Sequence, residues 1–168
     1  MPDSKTHKYV AITAGVGFAA YRAKEQAGLN FLIEVVGGGL GAWSTGNLPD
    51  IFEPAISSWH WSTFHSVAAG GTIASQVNTI SAFTAFCREQ AAMCKENPKR
   101  ILMIPLSEGI SVPIELDGTI GNIFSFIEQC LWLLLAGFVS GAAAGYISHV
   151  ALDGLTGKRP LPLLSRGF

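Results

Sequence analysis

The sequence predicts an all-α protein, a helical bundle of about four long helices. Two observations carry this prediction. Apolar residues make up 49% of the 168 positions and charged residues only 14%, against about a quarter in ordinary soluble domains. Long apolar runs follow one another without an internal repeat, and only the segment near 98–118 alternates apolar and polar residues around prolines and glycines. We therefore expect a single domain, 1–168, with a small extended hairpin insertion near 98–118.

The four helical runs differ in character. The first covers about 7–27. It resembles a signal peptide but has an acidic residue ahead of its apolar part and a poor cleavage site, so we expect it in the mature fold. The second, about 29–47, is apolar with a glycine-rich middle. The third, about 66–96, begins apolar and ends polar before a proline. The fourth, about 119–153, is the most hydrophobic, and the tail after it is expected to be irregular.

The fourth run favours a membrane association. It holds more than twenty mostly apolar residues, interrupted by Glu128 and Gln129, which is long enough to span a bilayer. Gly137, Gly141 and Gly145 lie four apart, the spacing that lets membrane helices approach closely. The alternative is a soluble bundle whose central helix is buried on all sides. The low charge content favours the membrane.

The net charge, the cysteines and two glutamates in apolar runs give further information on the class of protein. The net charge of −1 provides no basic field to attract nucleic acid. Cys87, Cys94 and Cys130 form neither a C-x-x-C pair nor an even set, so we expect reduced and mostly buried thiols. Glu34 and Glu128 lie inside apolar runs, where a carboxylate is costly unless paired. Each either supports a metal ligand or makes a polar contact between helices.

All four histidines lie at or next to an end of a predicted helix. If short connections make successive helices antiparallel, those ends meet at one pole of the bundle. The basic turns near 22–24 and 88–100 then map to the opposite pole. The residues that meet at the histidine pole are His7, Asp50, Glu53, His60, His65, His149 and Asp153.

The spacing at this pole suits metal ligation. His149 and Asp153 are i and i+4, so both side chains leave one helix face, while Asp50 and His65 bracket a loop over the same pole. Imidazole with carboxylate is a normal ligand set for zinc, and also for manganese or iron. The ligands exceed what one tetrahedral ion needs, so two or more ions sharing a carboxylate and an activated water are expected. Each residue alone has a plainer explanation, such as a turn for Asp50.

Three segments carry a resemblance to a known family. "LPDIFEP", "HWSTFHS" and "GYISHVALDGLTGKRPLPLL" resemble elements of the LexA-regulated, membrane-bound metal-dependent hydrolases. Members of that family pair an N-terminal histidine with an LPDID-type segment, an H-R-G-x-T-H-S segment and an S-H-x-x-x-D-x-x-T element. The match touches both ends and the middle, and the 76–118 region has no counterpart. The chain is also distantly similar to the zinc-dependent phospholipase C and single-strand nuclease superfamily.

The resemblance implies a bacterial-type inner-membrane location and a ligand set. His60 matches the first histidine of the second segment, as a ligand or as a group that supports one. Phe52 replaces the second aspartate of the family, so Glu53 either substitutes for it or does not. Trp61 and Ser62 replace an Arg-Gly pair, which removes a basic residue that would meet an anionic substrate. The metal ligands that the resemblance implies are His7, Asp50, His65, His149 and Asp153.

These observations favour an enzyme, a metal-dependent hydrolase that acts on phosphoesters. A lipid head group is the expected substrate, with the membrane lipid as partner, and a nucleic-acid phosphodiester is less expected. Asp50 is predicted as bridging carboxylate or general base, helped by Glu53. The alternative is a non-catalytic, metal-stabilised membrane subunit of a larger assembly, and a purely structural bundle without metal is a third. The sequence is compatible with a homo-oligomer and with a hetero-oligomer.

Overall fold

The computed structural model describes residues 4–53, 63–96, 100–107, 110–116 and 118–156. It confirms the all-α prediction and places a two-stranded antiparallel hairpin where the extended insertion was expected. The helices are α1 (Ser4–Arg22), α2 (Gly28–Thr45), α3 (Leu48–Phe52), α4 (Val67–Ser75), α5 (Val77–Glu96) and α6 (Gly118–Thr156). The strands are β1 (Arg100–Ser107) and β2 (Ile110–Leu116), with Arg100 opposite Leu116 and Ser107 opposite Ile110.

The predicted helix bounds shift in three places. The first helix starts at Ser4 and ends at Arg22, earlier than the expected 7–27. The third run is two helices that meet at Gln76: its backbone N–H donates to the carbonyl of Ile73 at 3.1 Å, the three-residue spacing of a tight turn at a helix end. The short helix α3 was not predicted. The tail after 156 lies outside the described residues.

Helix α6 is the centre of the bundle, and α1, α2 and α5 pack against it. The closest approach is between α6 and α2, where glycines leave room for backbone. A Cβ atom at Gly137 would overlap the backbone carbonyl of Glu34, and one at Gly141 would overlap that of Gly38. The predicted glycine stripe therefore does bring two helices into close contact.

Substituting Gly141 with alanine is expected to destabilise the bundle by about 2 kcal/mol or more. The added methyl meets main chain, which cannot move aside like a flexible side chain, so the cost lies at the upper end of the range for overpacked sites. Gly17→Ala is the matched control: a Cβ there meets nothing within 4 Å, so it is expected to stabilise α1 by about 0.5–1 kcal/mol. Thermal unfolding of both variants measures the two effects, and a Gly141→Ala protein as stable as the native one would contradict this packing.

The end of the bundle opposite the histidines holds a buried ion pair. Arg88 donates from Nε and Nη2 to the two carboxylate oxygens of Glu34, at 2.8 and 2.7 Å. The same Nη2 donates to the backbone carbonyl of Arg22 at 2.8 Å, at the C-terminus of α1. Glu34 is 1% exposed. Of its two predicted roles, the structure shows a polar contact between helices.

Among the described residues, α6 is the one helix that is long and apolar enough to cross a membrane, with a mean hydropathy of 1.8. Its 39 residues extend about 58 Å at 1.5 Å per residue, beyond the roughly 30 Å of a bilayer's hydrocarbon core. The bundle also exposes many large apolar side chains. Those on the outer face of α2 form a stripe: Leu29, Leu32, Val36, Leu40 and Trp43.

Candidate metal centre

The chain brings six of the predicted site residues together at one end of the bundle. The antiparallel order of the helices causes this, since the start of α1, the segment after α2, the segment before α4 and the end of α6 all lie at the same pole. His60 lies outside the described residues. The six residues that meet are His7, Asp50, Glu53, His65, His149 and Asp153.

Asp153 lies at the middle of the cluster, and three imidazoles face its carboxylate. The Oδ1 atom lies 3.2 Å from Nε2 of His7. The Oδ2 atom lies 3.3 Å from Nε2 of His149 and 3.6 Å from Nε2 of His65. His65, His149 and Asp153 are fully buried and His7 is 3% exposed, so the group is shielded from bulk water.

Asp50 adds a second carboxylate on the other side of the same imidazoles. Its Oδ1 lies 3.2 Å from Nε2 of His65 and 3.6 Å from Nε2 of His149, and those two nitrogens are 3.4 Å apart. Two groups of three potential ligands result, each with its ligand atoms within 4.8 Å of one another. One is His7, His149 and Asp153, the other is Asp50, His65 and His149, and His149 belongs to both.

These separations fit a divalent metal ion. Ligand atoms 2.0–2.1 Å from a tetrahedral zinc are roughly 3.3 Å from each other, and the nitrogen–oxygen distances around Asp153 are 3.2, 3.3 and 3.6 Å. Neither oxygen of Asp153 has a hydrogen-bond partner of good geometry among the described residues. A buried carboxylate without hydrogen bonds is costly, and a shared cation would satisfy it.

The outer nitrogens of two imidazoles are held by the protein. His149 Nδ1 lies 2.6 Å from the carbonyl oxygen of Gly46, to which it donates, and His65 Nδ1 lies 3.1 Å from Oε2 of Glu53. A proton on each Nδ1 leaves the Nε2 lone pair directed at the carboxylates, the tautomer that metal ligation requires. The His7 ring stacks on that of His149 with centroids 4.0 Å apart.

Glu53 fixes the segment that carries His65. Its Oε1 accepts hydrogen bonds from the backbone N–H of Thr63 at 2.6 Å and of Phe64 at 3.0 Å, while Oε2 faces the His65 ring. The Tyr146 hydroxyl of α6 donates to the Phe64 carbonyl at 2.7 Å from the other side. Glu53 is 5% exposed. This geometry favours a role in positioning His65 over the predicted help to a general base.

Asp50 is the most accessible carboxylate of the cluster. Its side chain is 31% exposed, whereas that of Asp153 is 0% exposed. Partial burial raises the pKa of Asp50, but where no ion is bound and the facing Nε2 atoms of His149 and His65 carry protons, hydrogen bonds from them outweigh burial and hold that pKa well below its usual range. An ionised carboxylate therefore lies on the open side of the cluster, where a water or a substrate approaches.

Two contributors to the site were missed in the sequence. The carbonyl of Gly46 orients His149, and a backbone acceptor leaves no signal in residue identity. Tyr146 holds the segment before α4. It precedes His149 by three residues and shares its helix face, so the spacing could have indicated it.

Glu53→Gln is expected to lower metal affinity by about 10- to 100-fold, the usual cost of removing a group that orients a ligand. The amide keeps the size and one oxygen acceptor, but it cannot accept both from the backbone N–H groups and from His65 Nδ1. Metal titration of the variant measures the loss, and excess metal is expected to restore full occupancy. Unchanged affinity would show that Glu53 does not position His65.

No protein-family model, curated protein or solved structure matches the chain. The resemblance to the membrane-bound metal-dependent hydrolases, and the roles that it implies, therefore stay predictions. The fold and the cluster show the class of protein: an all-α bundle with a buried group of histidines and aspartate at one pole.

Proposed function

We propose that this protein is a membrane-associated, metal-dependent hydrolase of phosphoesters. The observation that carries the proposal is the cluster of three imidazoles and two carboxylates at one pole, with nitrogen–oxygen separations of 3.2–3.6 Å. The two ligand groups overlap at Nε2 of His149, which binds one ion at a time, so the cluster provides at least one site of histidine and carboxylate for an ion that activates water. We take zinc as the ion, since imidazole and carboxylate are among its normal ligands.

The residues divide the work. Asp153 and the imidazoles that face it hold the cation, and Gly46 and Glu53 keep His149 and His65 in the ligating tautomer. A zinc-type ion bound here would acidify water and neutralise charge on phosphoryl oxygens. Asp50, on the open side of the cluster, would orient the attacking water by accepting a hydrogen bond from it.

The surface of the α1–α2 pair supports a membrane location. At the histidine pole, the Lys8 ammonium lies 5.2 Å from the centroid of the Trp43 ring. At the opposite end, that of Lys24 lies 5.3 Å from the Tyr21 ring. Aromatic and lysine side chains of this kind mark the two interfaces of a bilayer. Lys8 and Tyr21 are roughly 20 Å apart along α1, which is about 10 Å less than the hydrocarbon core of a bilayer. A bilayer accommodates such a difference by local thinning and by lysines that extend toward the head groups.

This placement supports a lipid head group as substrate. With Lys8 and Trp43 at an interface, the metal centre that begins at His7 lies at the level of the head-group phosphates. A nucleic-acid substrate is less well supported, because the net charge of −1 offers no attraction to a polyanion.

Head-group release tests the proposal. The protein, purified in detergent, is incubated with phosphatidylglycerol and phosphatidylethanolamine labelled in the head group, and with a p-nitrophenyl phosphodiester for intrinsic activity. We expect release from at least one substrate, its loss on chelation and its return on adding zinc. Absence of release from every substrate by fully metal-loaded protein would refute hydrolysis.

A second candidate is a non-catalytic, metal-stabilised membrane subunit of a larger assembly. The complete burial of His65, His149 and Asp153 favours it, because structural metal sites are closed whereas catalytic sites keep an open position. The two candidates differ in outcome: metal-loaded protein that unfolds at a lower temperature after chelation, but hydrolyses nothing, indicates the structural subunit.

A further inference from the structure

His7 is the one imidazole of the metal centre whose outer nitrogen has no acceptor among the residues that the structure describes. Its Nε2 atom lies 3.2 Å from Oδ1 of Asp153, so ligation of an ion by Nε2 requires the proton on Nδ1. The Nδ1 atom is buried. A buried N–H without an acceptor costs about 1–3 kcal/mol. The interior around His7 must therefore provide an acceptor for this N–H.

Asn47, which lies between α2 and α3, carries a buried acceptor that needs a donor. Its Oδ1 atom is buried and also has no hydrogen-bond partner within the described part of the chain. Its Nδ2 atom donates to Oγ of Ser4 at 2.8 Å. The amide nitrogen is thereby used, and the oxygen is left to accept a hydrogen bond from another group.

Two separate connections bring Asn47 next to His7. Ser4, which holds the Asn47 amide, precedes His7 by three residues on α1, so the Cβ atoms of Ser4 and His7 are about 5–6 Å apart. From the other side, the carbonyl of Gly46 accepts from His149 Nδ1 at 2.6 Å. The His149 ring in turn stacks on that of His7, with centroids 4.0 Å apart. The unpaired donor and the unpaired acceptor therefore lie in the same small part of the interior.

We propose that Asn47 is a positioning residue for His7, through a buried water that accepts from His7 Nδ1 and donates to Asn47 Oδ1. The inference rests on the metal centre of the proposed function. Buried waters have about two to four polar partners, typically groups that would otherwise be unsatisfied, and a bridging water is nearly as good as a direct hydrogen bond. The bridge keeps the proton on Nδ1 and the Nε2 lone pair directed at the cation, as the acceptors of the other two imidazoles do.

Zinc affinity separates this role from a purely structural one, in which Asn47 only ties the segment after α2 to the start of α1. Asn47→Leu removes both ends of the amide, whereas Ser4→Ala removes only that tie. In competition with a chelator, we expect Asn47→Leu to bind zinc about 10- to 100-fold more weakly than native protein, and Ser4→Ala to stay within about threefold. Asn47→Asp keeps an oxygen acceptor and is expected to recover most of the loss. Native affinity in Asn47→Leu, or an equal loss in Ser4→Ala or Asn47→Asp, would overturn the proposal.

A second readout reports on the His7 ring itself. The chain has four histidines, so NMR of protein with isotope-labelled histidine nitrogens gives few imidazole signals, and His7→Gln identifies that of His7. In zinc-loaded protein we expect the Nδ1–H of His7 to exchange slowly with solvent, and Asn47→Leu to speed up this exchange. The signals of His65 and His149 are expected to stay unchanged, because their acceptors are still present. An unchanged His7 signal in Asn47→Leu would contradict the positioning role.

The result is separable from the proposed function, since zinc affinity and the imidazole signal need no turnover. Native protein whose zinc affinity depends on Asn47 as expected, but which hydrolyses no phosphoester, keeps the positioning role and refutes the hydrolase. Protein that hydrolyses, with zinc affinity and a His7 signal independent of Asn47, refutes the positioning role alone. Protein that takes up no zinc refutes both.

Discussion

His65→Ala and Asp153→Ala are expected to lose bound metal and, with it, phosphoester hydrolysis. Asp153 faces the Nε2 atoms of three imidazoles, and His65 lies between Asp153 and Asp50, so either change removes a ligand from the centre of the cluster. Removing a group that merely orients a ligand costs 10- to 100-fold in affinity or activity. For a ligand itself we therefore expect a loss of at least about 100-fold.

Glu89→Ala is the control for the loss of a carboxylate, since Glu89 is exposed on α5 away from the cluster. It is expected to keep native metal content and activity. Elemental analysis and head-group release are measured on all three variants. Full metal content in both His65→Ala and Asp153→Ala would show that the cluster does not hold the ion.

The second large effect is expected at the opposite end of the bundle. Arg88→Met leaves the carboxylate of Glu34 buried without its cation, since Glu34 is 1% exposed and receives two hydrogen bonds from Arg88. Removing one partner of a buried pair costs about 3–5 kcal/mol. The change also removes the hydrogen bond to the Arg22 carbonyl. Thermal unfolding in detergent measures the loss.

The double variant Glu34→Leu with Arg88→Met provides the matched comparison. It removes both charges, so no unpaired carboxylate remains, and apolar replacements of a buried ion pair are often neutral or stabilising. We expect it to recover most of the stability that Arg88→Met loses. Equal stability of the native and Arg88→Met proteins would contradict a structural role for the pair.

The meeting of the histidines at one pole could be predicted, because it depends on few facts. Runs joined by short connections alternate in direction, and His7, His65 and His149 each lie at a run end that this rule places together. The His149–Asp153 pair follows from helix periodicity alone. The glycine stripe of α6 was predictable for the same reason, since Gly137 and Gly141 repeat at the spacing of one helix face.

Other features could not be predicted, because they depend on tertiary contacts. Arg88 and Glu34 are 54 residues apart, and neither position indicates the other. The role of Glu53 depends on the backbone N–H groups of Thr63 and Phe64 folding back onto it. The break at Gln76 lies in a run whose composition suits one long helix, so no residue there indicated that α4 and α5 are separate.

Elemental analysis of the native protein, purified without added metal, tests the central claim most directly. We expect at least one zinc-type ion per chain, because three imidazoles and two carboxylates meet within ligand distance of one another. The ions are expected to leave on chelation and to return stoichiometrically. Protein that is folded and free of transition metal, and that takes up none when zinc is supplied, would contradict the account.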